Sequence, residues 1–236
     1  MKSKVLVLAF CAIILTACAN VSRSKNHIEK NYMDHRGIVL NYKNAVNPQY
    51  LSESMGLYMQ YLLESDDAER FGQQVDILLE YFVVAVDDFL FIRWELGENT
   101  TVGAFIDDLR IAWVLGNAAV SFGEERYYDL SDKILNTIKN TMIVDGRPAD
   151  FFDWHYNIPK DQFFLSYYII PAMGSFPDSV FVPLEQLSAS PFFFEIYING
   201  EFAIASEEEI NMIDQSLIAV AYFQRVDMLS RIFRVS

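Results

Sequence analysis

Four acidic residues stand in or near the first turns of predicted helices, where a carboxylate could give or take a proton during bond cleavage: Glu53, Asp107, Asp108 and Asp214. A simpler interpretation is electrostatic, because an acid near a helix N-terminus gains about 0.3–1 kcal/mol from the helix dipole. The small residues of "SESMG" leave room beside Glu53, and "IDDLRIAW" places Asp107 and Asp108 among apolar residues. Burying a carboxylate there without a role is costly, so a functional interpretation competes with the electrostatic one.

The elements that must position these acids are predicted to be helices, because apolar residues recur at helical spacing. The pattern predicts a helical hairpin over residues 50–86 and a second helix pair over 103–143. A third helical segment begins at Glu207. Region 146–205 contains six of the seven prolines and is predicted to be mixed, with a β-hairpin that turns at Asn199-Gly200.

The acids also recur at a regular interval along the chain. Glu53 and Asp108 are 55 residues apart, and Asp214 follows after about twice that interval. Repetition of helix pairs at such a period is typical of stacked or closed αα-hairpins.

The N-terminal segment is predicted to be a signal peptide, which takes residues 1–17 out of the fold. Lys2 and Lys4 precede an apolar stretch that is too short to span a bilayer, which needs about 20 residues. The stretch ends in "LTAC", which resembles a bacterial lipobox. That resemblance implies that Cys18 is lipidated and holds the protein on the extracytoplasmic face of a cell membrane. An ordinary signal peptide cut at the nearby small residues is the alternative.

Composition argues against several classes of function. A net charge of −14 makes the surface a poor match for nucleic acid or for anionic lipid headgroups. The two cysteines lie in the predicted signal peptide and at the predicted lipidation site, so no disulfide is expected. The three histidines are too scattered for a metal site, and no phosphate-binding glycine loop or nucleophile elbow is present. We therefore expect neither a metal nor a cofactor.

Two motifs together resemble glycoside hydrolase family 8, and more narrowly its lipoprotein members linked to bacterial exopolysaccharide operons. The motifs are "YLSESMGLYMQYLL" and "AFIDDLRIAWVLGNA", with "FIRW" between them. The resemblance extends over about residues 50–225 and implies an (α/α)6 toroid of paired helices. The predicted fold class is therefore mainly α, a toroid-like and incomplete array of helical hairpins with a small β-hairpin insertion.

The resemblance also implies roles for the acids. The family's Ser-Glu-x-x-Gly motif is matched around Glu53, which is expected to be the general acid. Asp108 fits the second aspartate of the family's Asp-(Ala/Gly)-Asp motif and is expected to hold the substrate ring. Ile106 replaces the first aspartate, and Asp107 is a possible substitute for it. Asp214, in "NMIDQ", is expected to bind substrate.

The catalytic base is where the sequence departs from the family pattern. An inverting glycosidase needs a second carboxylate, roughly 6.5–9.5 Å from the acid, to activate water. The family's aspartate falls where this chain has Ser166. We expect Asp153, in "DFFDWHYN", to be the base instead, with Asp150 behind it.

Some aromatic residues could stack on sugar rings, although most aromatic residues at helical spacing belong to a core. Trp94 and Tyr167 are expected to contact the polysaccharide, and Arg93 is expected to bind it beside Trp94.

The expected organisation is a signal peptide over 1–17, a lipid anchor and polar tether over 18–45, and a hydrolase-like domain over 46–236. A closed toroid of six hairpins needs twelve helices, and this sequence stops shortly after the third helical start. We expect either a C-terminally truncated sequence or a shortened member with an open ring.

Three hypotheses follow. The first is a lipid-anchored hydrolase that cleaves a β-linked extracellular polysaccharide with inversion. The second is a catalytically inactive polysaccharide-binding lipoprotein on the same fold. The third, an unrelated helical lipoprotein with a structural role, is disfavoured by the two motifs.

Overall fold

The computed structural model describes residues 23–43, 47–188, 191–206 and 209–235. The predicted signal peptide and Cys18 lie outside these residues and remain predictions. The α-helices of the described residues are α1 (23–32), α2 (Ser52–Glu64), α3 (Ala68–Ile77), α4 (Phe105–Phe122), α5 (Glu125–Thr141), α6 (Val182–Glu185) and α7 (Met212–Val235). None of the described helices combines the length and the apolar composition that crossing a bilayer requires.

Local signals in the sequence account for the helix boundaries. The Asp67 side chain accepts a hydrogen bond from Arg70 N and caps the start of α3. Gly123 adopts a left-handed conformation, with φ of 72°, and ends α4. Helices α4 and α5 pack closely, and Ser131 Oγ donates a 2.7 Å hydrogen bond to Ala112 O across their interface. The second predicted helix pair is therefore present.

The predicted hairpin over 50–86 is only partly helical. Helices α2 and α3 are present, and a π-helical turn over Leu78–Phe82 follows α3. The chain then forms strand β1 (Val83–Val86), which pairs with β2 (Phe89–Ile92). The prediction was wrong over 83–86, where the β-branched run "VV" favours an extended backbone.

Short strands make up much of the rest: β3 (Val102–Ala104), β4 (Ile143–Val144), β5 (Arg147–Pro148), β6 (Phe151–Asp153), β7 (Ile158–Pro159), β8 (Gln162–Phe164), β9 (Ile196–Ile198) and β10 (Glu201–Ala203). Strands β3, β6 and β7 form one antiparallel sheet, and β8, β9 and β10 form another. Asn199 and Gly200 have φ of 52° and 89°, which fits a type I′ turn between β9 and β10. The predicted β-hairpin is therefore confirmed.

A single hydrophobic core joins the helices to these sheets. The longest described helix, α7, packs against the segment that holds α6, and Arg225 secures it there. The Arg225 guanidinium is buried, contacts Asp178 at 2.9 Å and Glu185 at 2.7 Å, and stacks 4.1 Å from the centre of the Phe181 ring. A charge so deeply buried is tolerated because both partners neutralise it.

The described part of the predicted tether does not behave as a tether. Residues 23–32 are helical, Ile28 packs against the core, and Ile38 and Val39 are buried within it. The expectation of an unpacked linker up to residue 45 was wrong for this part, because its apolar residues, which also include Tyr32 and Met33, attach it to the core.

Candidate active site

A cleft of about 680 Å³ opens where the first turns of α2, α4 and α7 come together. This volume suits a small-molecule or oligosaccharide ligand, since such sites are commonly about 300–1,000 Å³. The acidic side chains that line it are called the cleft carboxylates: Glu53, Asp107, Asp150 and Asp214. Arg110 supplies a cationic group to the same lining.

Backbone hydrogen bonds fix two of these helix ends at the cleft. Ser52 N, at the start of α2, donates to Trp94 O at 3.0 Å, and Phe105 N, at the start of α4, donates to Asp150 O at 2.8 Å. Strand β3 leads directly into α4. Glu53 therefore lies in the first turn of α2, where its exposed side chain faces the cleft.

Asp107 is held by two neighbours. Ser52 Oγ donates a 2.9 Å hydrogen bond to Asp107 Oδ2, and Arg110 forms a 3.3 Å ion pair with Asp107 Oδ1. Burial raises the pKa of Asp107 to about 6, with a smaller contribution from the Glu53 charge, and it outweighs the opposing effects of Ser52 and Arg110. Asp107 can therefore change protonation state near neutral pH.

Asp108 does not line the cleft, and its expected contact with substrate stays a prediction. It is almost fully buried, and neither carboxylate oxygen has a hydrogen-bond partner among the described residues. Burial, followed by the Asp107 charge, raises its pKa well above the usual value. Successive helical residues point about 100° apart, so Asp107 faces the cleft and Asp108 faces the interior.

Asp153 does not line the cleft either, and the expected base is instead part of a turn. Its Oδ1 accepts hydrogen bonds from Thr101 Oγ1 at 3.0 Å and from His155 N at 2.9 Å. Asp150, the second choice in the sequence, does line the cleft, and it directly precedes β6, whose last residue is Asp153.

Both oxygens of Asp150 are already engaged. Oδ1 accepts from Phe164 N at 2.8 Å and Oδ2 accepts from Gln162 Nε2 at 3.0 Å. Burial is the largest influence on its pKa, which is raised despite these hydrogen bonds. Asp150 thus ties β8 to the floor of the cleft.

Asp214 enters the cleft from the first turn of α7. The Asn211 side chain accepts a 3.0 Å hydrogen bond from Ile213 N and begins the helix. Gln215 anchors the same turn through Phe193 N at 2.9 Å and Glu195 at 3.2 Å. Within the described part of the chain, no side-chain hydrogen bond or ion pair to the Asp214 carboxylate is found.

Aromatic rings form part of the cleft wall. Trp94 is 40% exposed and lines the cleft together with Tyr167 and Phe151. Burial, and then the charges of the cleft carboxylates, raise the pKa of Tyr167 to about 12. Its phenol therefore stays protonated and can donate a hydrogen bond to a sugar oxygen.

Arg93 is not part of this cleft, contrary to expectation. Its Nη1 donates to Tyr81 O at 3.2 Å, and the residue lines a separate, shallow pocket with Arg36 and Tyr50. The chain turns away between Arg93 and Trp94, because Arg93 N bonds to Phe82 O while Trp94 N bonds to Val102 O.

The sequence interpretation missed two polar members of the lining. Arg110 lies one helical turn after Asp107, a spacing that could have suggested their ion pair. Ser166, at the position of the family's base, is buried and does line the cleft. Among the described residues, no group of three or more metal-ligating side chains is found.

Comparison with known proteins places the fold. The protein PssZ from Listeria monocytogenes superposes with a TM-score of 0.82 at 39% identity, over 86% of this chain and 65% of that one. YdaJ of Bacillus subtilis (strain 168), provisionally named a lipoprotein, is 31% identical over 128 residues, 53% of this chain and 34% of its own. This chain thus spans about a third of YdaJ and about two thirds of PssZ. No family model matches the sequence.

More distant structures share the same fold. The endo-β-1,4-glucanase CMCax from Acetobacter xylinum has a TM-score of 0.63 at 19% identity, over 79% of this chain and 66% of its own. Others at 17% identity are described as family 8 glycoside hydrolases. The chain therefore has the fold of the family 8 glycoside hydrolases and is similar in sequence to PssZ and to YdaJ. The predicted family resemblance and the toroid-like fold class are both confirmed.

Proposed function

We propose that the protein is a lipid-anchored glycoside hydrolase that cleaves a β-linked extracellular polysaccharide with inversion of configuration. One observation carries the proposal: acids from three separate helices meet in a cleft walled by exposed aromatic rings. Inverting hydrolysis needs two carboxylates on opposite sides of the scissile bond, and aromatic rings beside polar groups are typical of sugar-binding sites.

Glu53 is the general acid of this proposal. Its side chain faces the cleft from the second residue of α2, in the position that the family motif gives to the proton donor. Because the residue is exposed, substrate can reach it directly. Protonation of the leaving oxygen by Glu53 makes the departing sugar a better leaving group.

Asp214 is the base of this proposal, in place of Asp153. Asp107 and Asp150 are held by protein hydrogen bonds, whereas the Asp214 carboxylate has no such partner among the described residues. Asp214 also reaches the cleft from α7, a different helix from the one that carries Glu53. It is therefore free to bind and deprotonate a water molecule on the far side of the sugar.

The second candidate function is polysaccharide binding without hydrolysis. Ser166, at the position of the family's base, favours this alternative because it cannot deprotonate water. The two proposals make the same contacts to sugar and differ in whether a bond breaks.

The experiment that decides between them measures the reducing ends released from α- and β-linked polysaccharides and from the exopolysaccharide of the producing bacterium. Wild-type protein is compared with Glu53→Gln and with Glu64→Gln, an exposed acid at the far end of α2. We expect release by the wild type and by Glu64→Gln and none by Glu53→Gln. Binding without release by folded wild-type protein, judged by a thermal melt, would support the non-catalytic function.

The lipid anchor is proposed on the sequence around Cys18, and YdaJ is provisionally named a lipoprotein. Its test is metabolic labelling with a fatty-acid analogue. We expect label in the wild type and none in Cys18→Ser, and equal labelling of both proteins would contradict the anchor.

A further inference from the structure

The shallow pocket that Arg93 lines is separate from the cleft and contains two arginines. We name it the arginine pocket and define it by the residues Arg36, Tyr50, Tyr81 and Arg93. It measures about 330 Å³, half the volume of the cleft, and Leu96, Gly97 and Glu98 complete its lining.

The two arginines in this pocket differ in how they are held. Arg36 is fixed by an ion pair of 2.7 Å with Asp34, and its guanidinium lies 4.8 Å from the centre of the Tyr50 ring and 5.3 Å from that of Tyr81. Arg93 is partly buried and donates to the carbonyl of Tyr81. No acidic side chain pairs with Arg93 among the residues that the structure describes.

Arg93 is thus a partly buried cation without an acidic partner among the described residues, in a chain of net charge −14. A guanidinium presents five N–H donors, of which one nitrogen of Arg93 is used on the Tyr81 carbonyl. The remaining donors suit a carboxylate, which guanidinium groups bind through two parallel hydrogen bonds.

The arginine pocket lies next to the cleft along the chain and in space. Trp94, which lines the cleft, directly follows Arg93, which lines the pocket. Leu96 N donates to Tyr50 O at 3.0 Å and Ser52 N donates to Trp94 O, so the same paired segments border both sites.

We propose that the arginine pocket binds a carboxylate-bearing sugar, such as a uronic acid, of a polysaccharide whose neighbouring residues lie in the cleft. This inference rests on the proposed function only in that the ligand is a polysaccharide. Four carboxylates in the cleft repel an acidic sugar there, whereas Arg93 attracts one at the neighbouring position. Glu98 lines the same pocket and weakens that attraction.

The test uses Glu53→Gln protein, so that ligands are not cleaved, and pairs of oligosaccharides that differ only in having glucose or glucuronic acid. Binding is measured by calorimetry for the Glu53→Gln protein and for two double variants, which carry Arg93→Gln or Arg147→Gln as a second substitution. Arg147 is the matched control, because it lines a different surface pocket and also forms no ion pair among the described residues.

We expect tighter binding of the acidic member of a pair, weakened at least about tenfold by Arg93→Gln and by less than about twofold by Arg147→Gln. Glu98→Gln should increase the affinity for the acidic oligosaccharide, because it removes a negative charge from the pocket. Equal affinity for both members, an equal loss for both in Arg93→Gln, or an equal effect of Arg147→Gln would each overturn the proposal. If wild-type protein hydrolyses nothing yet shows the acidic preference, the hydrolase proposal fails and this one stands.

Discussion

Residues from the starts of α2 and α4 form one part of the cleft lining, called the first wall, and residues from the start of α7 form another part, called the second wall. On the first wall, Asp107 accepts a hydrogen bond from Ser52 and forms an ion pair with Arg110. Asp107 therefore helps to hold α2 and α4 together. On the second wall, Gln215 holds the start of α7 in place through Phe193 and Glu195. The neighbouring Asp214 carboxylate has no side-chain partner among the described residues. The comparison separates acids that hold the cleft in shape from acids that can act on a ligand.

A different contrast between two acids appears within α4. Asp107 and Asp108 are neighbours in sequence, yet Asp107 has two polar partners and Asp108 has none among the described residues. A motif match in the sequence therefore selects the helix turn correctly and leaves open which residue of the turn meets the ligand.

The largest expected effect is a loss of catalytic activity when the acid of the second wall is replaced. We expect Asp214→Asn to lower kcat by about 10²–10⁴-fold, because general base catalysis contributes that much, with little change in the affinity for substrate. Asp227→Asn, an exposed site on the same helix, is the control. Initial rates on the best polysaccharide check this, and a loss of less than tenfold would remove Asp214 from the mechanism.

The next effect is on stability. Asp107→Ala leaves Ser52 and Arg110 without their shared partner, so we expect the free energy of unfolding to fall by about 1–3 kcal/mol. Urea denaturation of this variant and of Asp214→Ala measures the contrast. Asp214→Ala should change stability by less, because its carboxylate has no partner to lose within the described residues, and an equal loss in both would contradict the comparison.

A smaller effect of opposite sign is expected at Asp108. Replacing this unpartnered buried carboxyl with a leucine, which has the same heavy-atom branching and no polar atom, removes a desolvation cost, and we expect stability to rise by about 1 kcal/mol. Activity should be unchanged, since Asp108 does not line the cleft. If a folded Asp108→Leu protein no longer binds polysaccharide, that result would support the substrate contact that the sequence motif predicted.

The last effect is a change in the pH dependence of stability. The folded-state pKa of Asp107 is raised from 3.8 to about 6, so its contribution to stability is fully present below pH of about 4 and is lost as the pH rises through about 6. Relative to Asp107→Asn, the wild type should therefore lose stability between pH 4 and 7. Unfolding curves of both proteins across this range provide the measurement, and a constant difference between them would show that Asp107 does not titrate there.

Much of the fold was predictable because helix periodicity and caps are local signals. Helices α2, α4 and α5 and the Asn199-Gly200 hairpin follow from spacing and turn chemistry in the sequence. Val83–Val86 was misjudged because an apolar run of four residues suits a strand and a buried helix equally well.

The site was only partly predictable, since the direction of each side chain depends on tertiary contacts. Glu53, Trp94 and Tyr167 line the cleft as expected. Asp153 does not, because its carboxylate is used by Thr101 and by backbone groups of the following turn. The contact with Thr101 joins positions 52 residues apart, which no local pattern reveals.

The central claim is that Glu53 and Asp214 cleave a glycosidic bond together across the cleft. It is tested most directly by NMR of the anomer first formed from an oligosaccharide substrate, with wild type, Glu53→Gln and Asp214→Asn in parallel. The account predicts a product of inverted configuration from the wild type and a loss of product formation in both variants. A product of retained configuration, or full activity in either variant, would contradict it.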